Sequence, residues 1–146
     1  MSAIAGDTDK TVVKTFPAEL DALYEMLGFV KAQAQTIGID PTRIIKIELA
    51  VEEALVNVMA YGYPTLKGSL EISCSPTQKH GIRIVIKDHG IPYNPLAQAN
   101  KLMAVSPQEG QILGGYGIYF ILKIMDETEY YREGECNFLT LIKYNS

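Results

Sequence analysis

Apolar positions change their spacing several times along the chain, and each change marks an element. Thr11 to Phe16 is β-branched and predicts a strand. Pro17 ends it and suits the first turn of a helix. Leu20, Leu23, Tyr24, Leu27, Val30, Ala34 and Ile37 then recur at helical spacing, and Gly38 stops that helix. Asp40-Pro41 supplies an N-cap and a first-turn proline for a second helix. Its apolar stripe is Ile44, Ile47, Val51, Ala54, Leu55 and Val58, and Gly62 and Pro64 terminate it.

Two strands follow, Ser69 to Ser75 and Ile82 to Lys87, joined as a hairpin by Pro76 to Gly81. Ile91 to Leu113 carries three prolines (Pro92, Pro95, Pro107) and weak periodicity. A connection that long inside a compact domain is usually functional or mobile. Leu96 to Met103 could form a short helix within it. Gly114-Gly115-Tyr116-Gly117 leads into a helix marked by Ile118, Ile121, Leu122 and Met125. Glu127 to Arg132 and Phe138 to Tyr144 close the chain as a second hairpin, turning at Glu133 to Glu135. The order β-α-α-β-β-loop-α-β-β predicts an α+β fold, a two-layer sandwich with helices on one face of a mixed sheet. One domain spans 11–146 after a flexible, small and polar start at 1–10.

Composition narrows the function classes. The 146 residues carry a formal net charge of -4 and no run of Lys or Arg. That argues against a nucleic-acid surface and against a polybasic membrane anchor. No apolar run approaches membrane-spanning length, and no basic-then-apolar leader opens the chain, so a cytoplasmic location is the default expectation. Cys74 and Cys136, on predicted strands and far apart, read as buried thiols. His80 and His89 read as surface or loop residues, too isolated for a zinc site.

Three pieces carry candidate chemistry. Glu53 and Asn57 lie one turn apart on the second helix and off its apolar stripe. A carboxylate beside a carboxamide could bind a hydrated cation and activate a hydroxyl; a solvated helix face is the alternative. Asp88-His89-Gly90 puts a carboxylate at a strand end, able to accept from an amine, with a glycine that permits close approach. An ordinary turn explains the same residues. Gly114-Gly115-Tyr116-Gly117 before a helix presents backbone amides suited to phosphate, or serves as a hinge. It is no Walker A loop, because no Lys-Ser/Thr follows.

Taken together and in this order, these pieces resemble the Bergerat ATP-binding fold of gyrase, heat-shock chaperones and histidine kinases. Within it the chain is most similar to the bacterial anti-sigma-factor serine/threonine kinases. Glu52-Glu53-Ala54-Leu55-Val56-Asn57-Val58-Met59-Ala60-Tyr61-Gly62-Tyr63 matches the N box of that family. Lys87-Asp88-His89-Gly90 matches the first glycine box and Gly114 to Tyr119 the second. Met125-Asp126-Glu127 and Asn137 to Lys143 also read like the family, so the resemblance runs from about Thr11 to Tyr144.

The resemblance implies ATP or ADP as ligand with Mg²⁺ held by Asn57, and Glu53 as general base for a protein hydroxyl. It implies that Asp88 accepts from the adenine amine and that Gly90 admits the ring. Gly114, Gly115, Tyr116 and Gly117 would line the phosphates, beneath an ATP lid of about 91–113. The partners it implies are a small anti-sigma-factor antagonist and a sigma factor, or their equivalents in another partner-switching circuit. Homodimers are common in the family, and the Thr11 to Phe16 strand offers an edge able to pair. Two positions depart from the pattern. No Arg or Lys stands between Lys101 and Lys123, where some members place an Arg that contacts the γ-phosphate, and Tyr61 replaces a frequent His. Nucleotide binding is therefore better supported than phosphoryl transfer. A sequestering module with little or no transfer is the alternative. A detached histidine-kinase ATPase domain is disfavoured by the short lid and the absence of a dimerisation helix or phospho-acceptor His box.

Overall fold

The two central strands of the first hairpin bury every second side chain, as strands of a sheet with one covered face do. The computed structural model describes residues 10–62, 68–97 and 116–145. Its elements are β1 (Val12–Pro17), α1 (Leu23–Ile37), α2 (Pro41–Gly62), β2 (Ser69–Pro76), β3 (Ile82–Asp88), α3 (Tyr116–Ile124), β4 (Glu127–Glu133) and β5 (Cys136–Lys143). A short 3-10 turn, Leu20–Ala22, leads into α1. The start expected to fray lies outside the described residues apart from Lys10, as does all but the beginning of the expected Leu96–Met103 helix.

The sheet order is β1-β2-β3-β5-β4, and every neighbouring pair is antiparallel. The α+β class holds, but the sheet is antiparallel throughout and not mixed. The reason lies in the crossover through α3. It carries the chain from β3 to β4, two strands that run parallel, and β5 then turns back and fills the gap between them. Such a split β-α-β unit has parallel connectivity without a parallel ladder. β1 lies at one edge of this sheet, with Val12 and Val13 exposed.

Side chains alternate across a strand, so one face collects Leu70, Ile72 and Cys74 from β2 with Ile82, Ile84 and Ile86 from β3. Leu139 and Leu141 continue that face on β5, and the helices cover it. Helix α2 packs against both α1 and α3 and against β3. Its start is fixed twice. The Asp40 carboxylate accepts from Thr42 N at 3.2 Å, an N-cap bond, while Asp40 N donates to Asn145 Oδ1 at 2.8 Å. The first helix ends at Gly38, whose φ of 97° suits glycine. In the first hairpin, a Cβ on Gly81 would sit 2.4 Å from the Lys143 carbonyl, so only glycine lets that turn lie against β5.

Cys74 is buried as expected, whereas Cys136 is only partly covered. Burial pushes the Cys74 thiol up from its ordinary 9.0 to about 12. The native state therefore holds this proton more tightly than the unfolded chain does. Its contribution to stability is complete below about pH 9 and is lost as pH rises toward about 12. Urea unfolding of the wild type and Cys74→Ala should show it. Above about pH 9 the wild type should lose up to about 1.4 kcal/mol per pH unit relative to the variant. Parallel pH profiles would show that the thiol contributes nothing.

Candidate nucleotide site

Helix α2 places the first pair. Its stripe of Ile47, Val51, Ala54, Leu55 and Val58 is buried, and that packing fixes the rotation of the helix. Asn57 is carried inward with it and is only 4% exposed. This is no solvated face. Asn57 Nδ2 donates to the Glu53 carbonyl at 2.7 Å, which commits the nitrogen to the helix and turns Oδ1 the other way. The oxygen is the atom a hard cation would use. The bond takes the backbone carbonyl of Glu53, leaving its half-buried carboxylate for other chemistry.

The second piece is the end of β3. Asp88 continues the row Ile82, Ile84, Ile86 and so points into the helical layer, 3% exposed. A buried carboxylate is costly unless hydrogen-bonded. Gly90 N donates to Asp88 Oδ1 at 2.8 Å, closing the turn, and Asn137 Nδ2 donates to the same oxygen at 2.9 Å. Oδ2 takes part in neither bond. The Asp88-His89-Gly90 turn is thus real, and it also presents an acceptor.

The backbone after this turn is braced from β4 and β5. Arg132 Nη1 donates to the Gly90 carbonyl at 2.8 Å, and Asn137 Nδ2 donates to the Ile91 carbonyl at 2.8 Å. Tyr93 N reaches Asn137 Oδ1 at 3.5 Å, and the Tyr130 hydroxyl donates to that oxygen as well. His89 Nδ1 lies 3.3 Å from Cys136 Sγ.

Aromatic stacking joins the two pieces. Tyr61 lies one turn beyond Asn57, and its ring stacks on that of Tyr93 with centroids 5.2 Å apart and planes at 30°. The end of α2 therefore rests on the segment that follows Gly90. The third piece is only partly described. Helix α3 begins at Tyr116 and packs against α2, so its first-turn amides, which have no intrahelical partner, belong to the same helical layer. Gly114, Gly115 and the expected lid from 98 onward lie outside the described residues. The Tyr116 and Gly117 positions open the helix.

The structure adds four residues that the sequence did not single out: Tyr93, Tyr130, Arg132 and Asn137. Only Asn137 left a trace in the sequence. Asn disfavours strands, yet it stands two positions before Leu139 on the covered side of β5. Its partner could be named only after the register paired it with Asp88.

The arrangement can accept an amine at Asp88, offer an amide oxygen to a cation at Asn57 and present helix amides to an anion at α3. Comparison with known proteins identifies the domain family and the fold. The sequence model of the histidine kinase-like ATPase domain matches residues 16–143. Two solved structures are similar in fold. One holds the RsbU and RsbW domains of Rv1364c from Mycobacterium tuberculosis, with TM-score 0.65 and 15% identity over 92% of this chain and 32% of that one. The other is the SiaB-SiaC complex from Pseudomonas aeruginosa, with TM-score 0.63 and 11% identity over 90% of this chain and 87% of that one. The chain thus spans about a third of the length of the first. No curated protein sequence matches.

The Tyr61–Tyr93 stack can be checked by titration. Burial, and secondarily the neighbouring Tyr61 phenol, raises the Tyr93 hydroxyl above its ordinary 10.0. The neutral phenol is favoured in the folded state, so Tyr93 should ionise later than an exposed tyrosine. The ultraviolet difference titration between wild type and Tyr93→Phe isolates this step. In a Tyr61→Phe background it should move down only in part, because burial remains. An unchanged midpoint would show that Tyr61 carries no charge effect on Tyr93.

Proposed function

Because the chain belongs to the histidine kinase-like ATPase domain family, we propose that it is an ATP-binding protein serine/threonine kinase of the anti-sigma-factor type. Its substrate is a small antagonist protein in a partner-switching circuit. The observation that carries this reading is the pair of buried polar side chains, Asn57 and Asp88, at 4% and 3% exposure. Asn57 sits on α2 and Asp88 points from β3 into the helical layer, and the Tyr61–Tyr93 stack ties their neighbourhoods together. A fold without a ligand to bind has little reason to keep a carboxylate and a carboxamide so deep.

In this reading Asp88 Oδ2 accepts from the adenine amine, and Gly90 lets the ring lie close. The Asn57 amide oxygen would be one ligand of Mg²⁺, a donor that suits a hard, oxygen-seeking ion. When bound, Mg²⁺ would neutralise phosphate charge. The amides around Gly114, Gly115, Tyr116 and Gly117 hold the phosphates, and about 91–113 is the lid over 11–146 as one ATPase domain. Glu53 removes the proton from the attacking hydroxyl. Phosphoryl transfer depends mainly on positioning and charge neutralisation, so few residues suffice. The second neighbour was solved as a complex, SiaB-SiaC, which supports a protein partner for this chain. A sigma factor or an equivalent regulator is the second partner, exchanged for the antagonist. The β1 edge would serve a homodimer. Among the described residues no helix is long and apolar enough to cross a membrane, which agrees with a cytoplasmic circuit.

A second reading is favoured by one observation. Between Lys101 and Lys123 the sequence has no Arg or Lys to clamp a γ-phosphate. Loss of one such cation can remove much of the rate. The chain would then be an ATP- or ADP-dependent sequestering module.

Calorimetric titration with ATP and ADP in Mg²⁺, and γ-labelled ATP with an antagonist-type protein encoded beside this chain, separate these readings. Glu53→Gln should keep nucleotide binding and lose transfer by about 10²- to 10⁴-fold, while Asp88→Asn should weaken binding by about tenfold or more. Glu52→Gln is the control. Tight binding without label on the antagonist would select the sequestering module, and absence of nucleotide binding would end both readings.

A further inference from the structure

Asn137 has used every hydrogen bond it can make. A carboxamide has two donors and an oxygen with two lone pairs. The donors go to Asp88 Oδ1 at 2.9 Å and the Ile91 carbonyl at 2.8 Å. The oxygen accepts from the Tyr130 hydroxyl and from Tyr93 N at 3.5 Å. The neighbours also settle which end is which. Asp88 and Ile91 offer only acceptors, and Tyr93 N only a donor, so the amide cannot be reversed without losing bonds on both sides. At 3% exposure and with both groups satisfied, Asn137 has nothing left to give a ligand.

We propose that Asn137 is the positioning residue that gives this site its discrimination for a 6-amino purine, acting through Asp88 without touching the base. The proposal rests on the reading that Asp88 receives the base amine. Asp88 Oδ1 is gripped from two directions, by Asn137 Nδ2 and by Gly90 N. Two bonds on one oxygen fix the plane of the carboxylate, and so fix where the lone pairs of Oδ2 point. Asn137 in turn cannot rotate, because Tyr130 holds its oxygen. The cross-strand register makes this possible: Asp88 faces Asn137, and Asn137 faces Arg132. Arg132 holds the Gly90 carbonyl, so the donor side of the same turn is fixed too. The base end of the site is therefore set before any nucleotide arrives.

The test compares ATP with purine riboside triphosphate, which has hydrogen where adenine has its amine. Kd for each is measured by calorimetry on wild type, Asn137→Ala and Tyr130→Phe, with thermal unfolding of each variant alongside. Wild type should prefer ATP by about tenfold or more, the value of a hydrogen bond to a charged acceptor. Asn137→Ala should bring that ratio close to one. Tyr130→Phe, which removes one hydroxyl and leaves the fold, should lower the ratio in the same direction but less. In an Asp88→Asn background, Asn137→Ala should change the ratio no further, because the effect passes through the carboxylate. If both ligands weaken equally and the ratio survives in both variants, Asn137 supports the fold only and the proposal is overturned. If wild type binds neither ligand, the nucleotide reading itself fails. If wild type binds both equally, the failure lies with Asp88 as the amine acceptor.

Discussion

A carboxylate cannot be buried without partners, and Asp88 meets that constraint in a way that shapes one end of the molecule. Its partners arrive by three routes. Gly90 comes from the turn itself, Asn137 from the paired strand, and Arg132 fixes the carbonyl of the glycine that bonds it. The Asn137 bond would not be in place if β5 were shifted by one residue. A one-residue slip would send Asn137 to the uncovered face and bring Cys136 or Phe138 opposite Asp88. The register of the sheet and the geometry of the site are thus one constraint, and core packing on β3 and β5 enforces both.

The split crossover explains why strands so late in the chain serve a turn formed much earlier. Because β5 returns between β3 and β4, it lies directly beside Asp88, and β4 lies one strand further out. Tyr130 and Arg132 are long side chains on that outer strand, and they reach back across β5 to Asn137 and Gly90. A two-stranded hairpin alone could not bring in both. Helix α2 closes the other side. It is anchored at its start through Asp40 to Asn145, next to the end of β5, and at its finish through Tyr61 to Tyr93. The strand that orients Asp88 and the helix that carries Asn57 are therefore fixed to each other at both ends.

Much of this was legible from residue spacing. β-branching, strand patterning and helical periodicity located the five strands and three helices of the described residues to within a few residues. Gly38 and Asp40-Pro41 marked the joint between α1 and α2, because left-handed φ and N-capping are local demands. The three candidate pieces could be proposed because their residue types have direct chemical meaning at short range, and of the third only the helix start at Tyr116 falls among the described residues. What escaped was non-local. Asn137 was quoted only as part of a closing apolar strand, Tyr130 and Arg132 only as strand residues, and Tyr93 only as part of a long loop. Their roles depend on which strands become neighbours, and the order β3-β5-β4 cannot be read from local periodicity. The expected mixed sheet missed for the same reason, since parallel connectivity need not give a parallel pair. At Asn57 residue spacing left two readings open. Off the apolar stripe it was open to a solvated reading, but a broad covered face includes positions beside the stripe.

The two ends of the site differ in how they are built, and that difference bears on function. The acceptor at Asp88 is held by side chains from β4 and β5, by a turn and by a stacked tyrosine pair, all independent of a ligand. At the helix end, the Asn57 nitrogen is committed to a carbonyl in its own helix, and in the proposed reading its oxygen would serve as a ligand only when something else supplies the remaining coordination. In the proposed nucleotide reading, a rigid base end with an open cation end would let recognition of the nucleoside and arrangement of its phosphates proceed as separate steps. It also means that binding and transfer need not stand or fall together. In the proposed reading the rigid half would supply the affinity, whereas transfer would depend on whatever brings positive charge to the phosphates, and the sequence between Lys101 and Lys123 has no Arg or Lys. A protein partner that contributes a cation on docking would supply the missing charge and make transfer conditional on the complex.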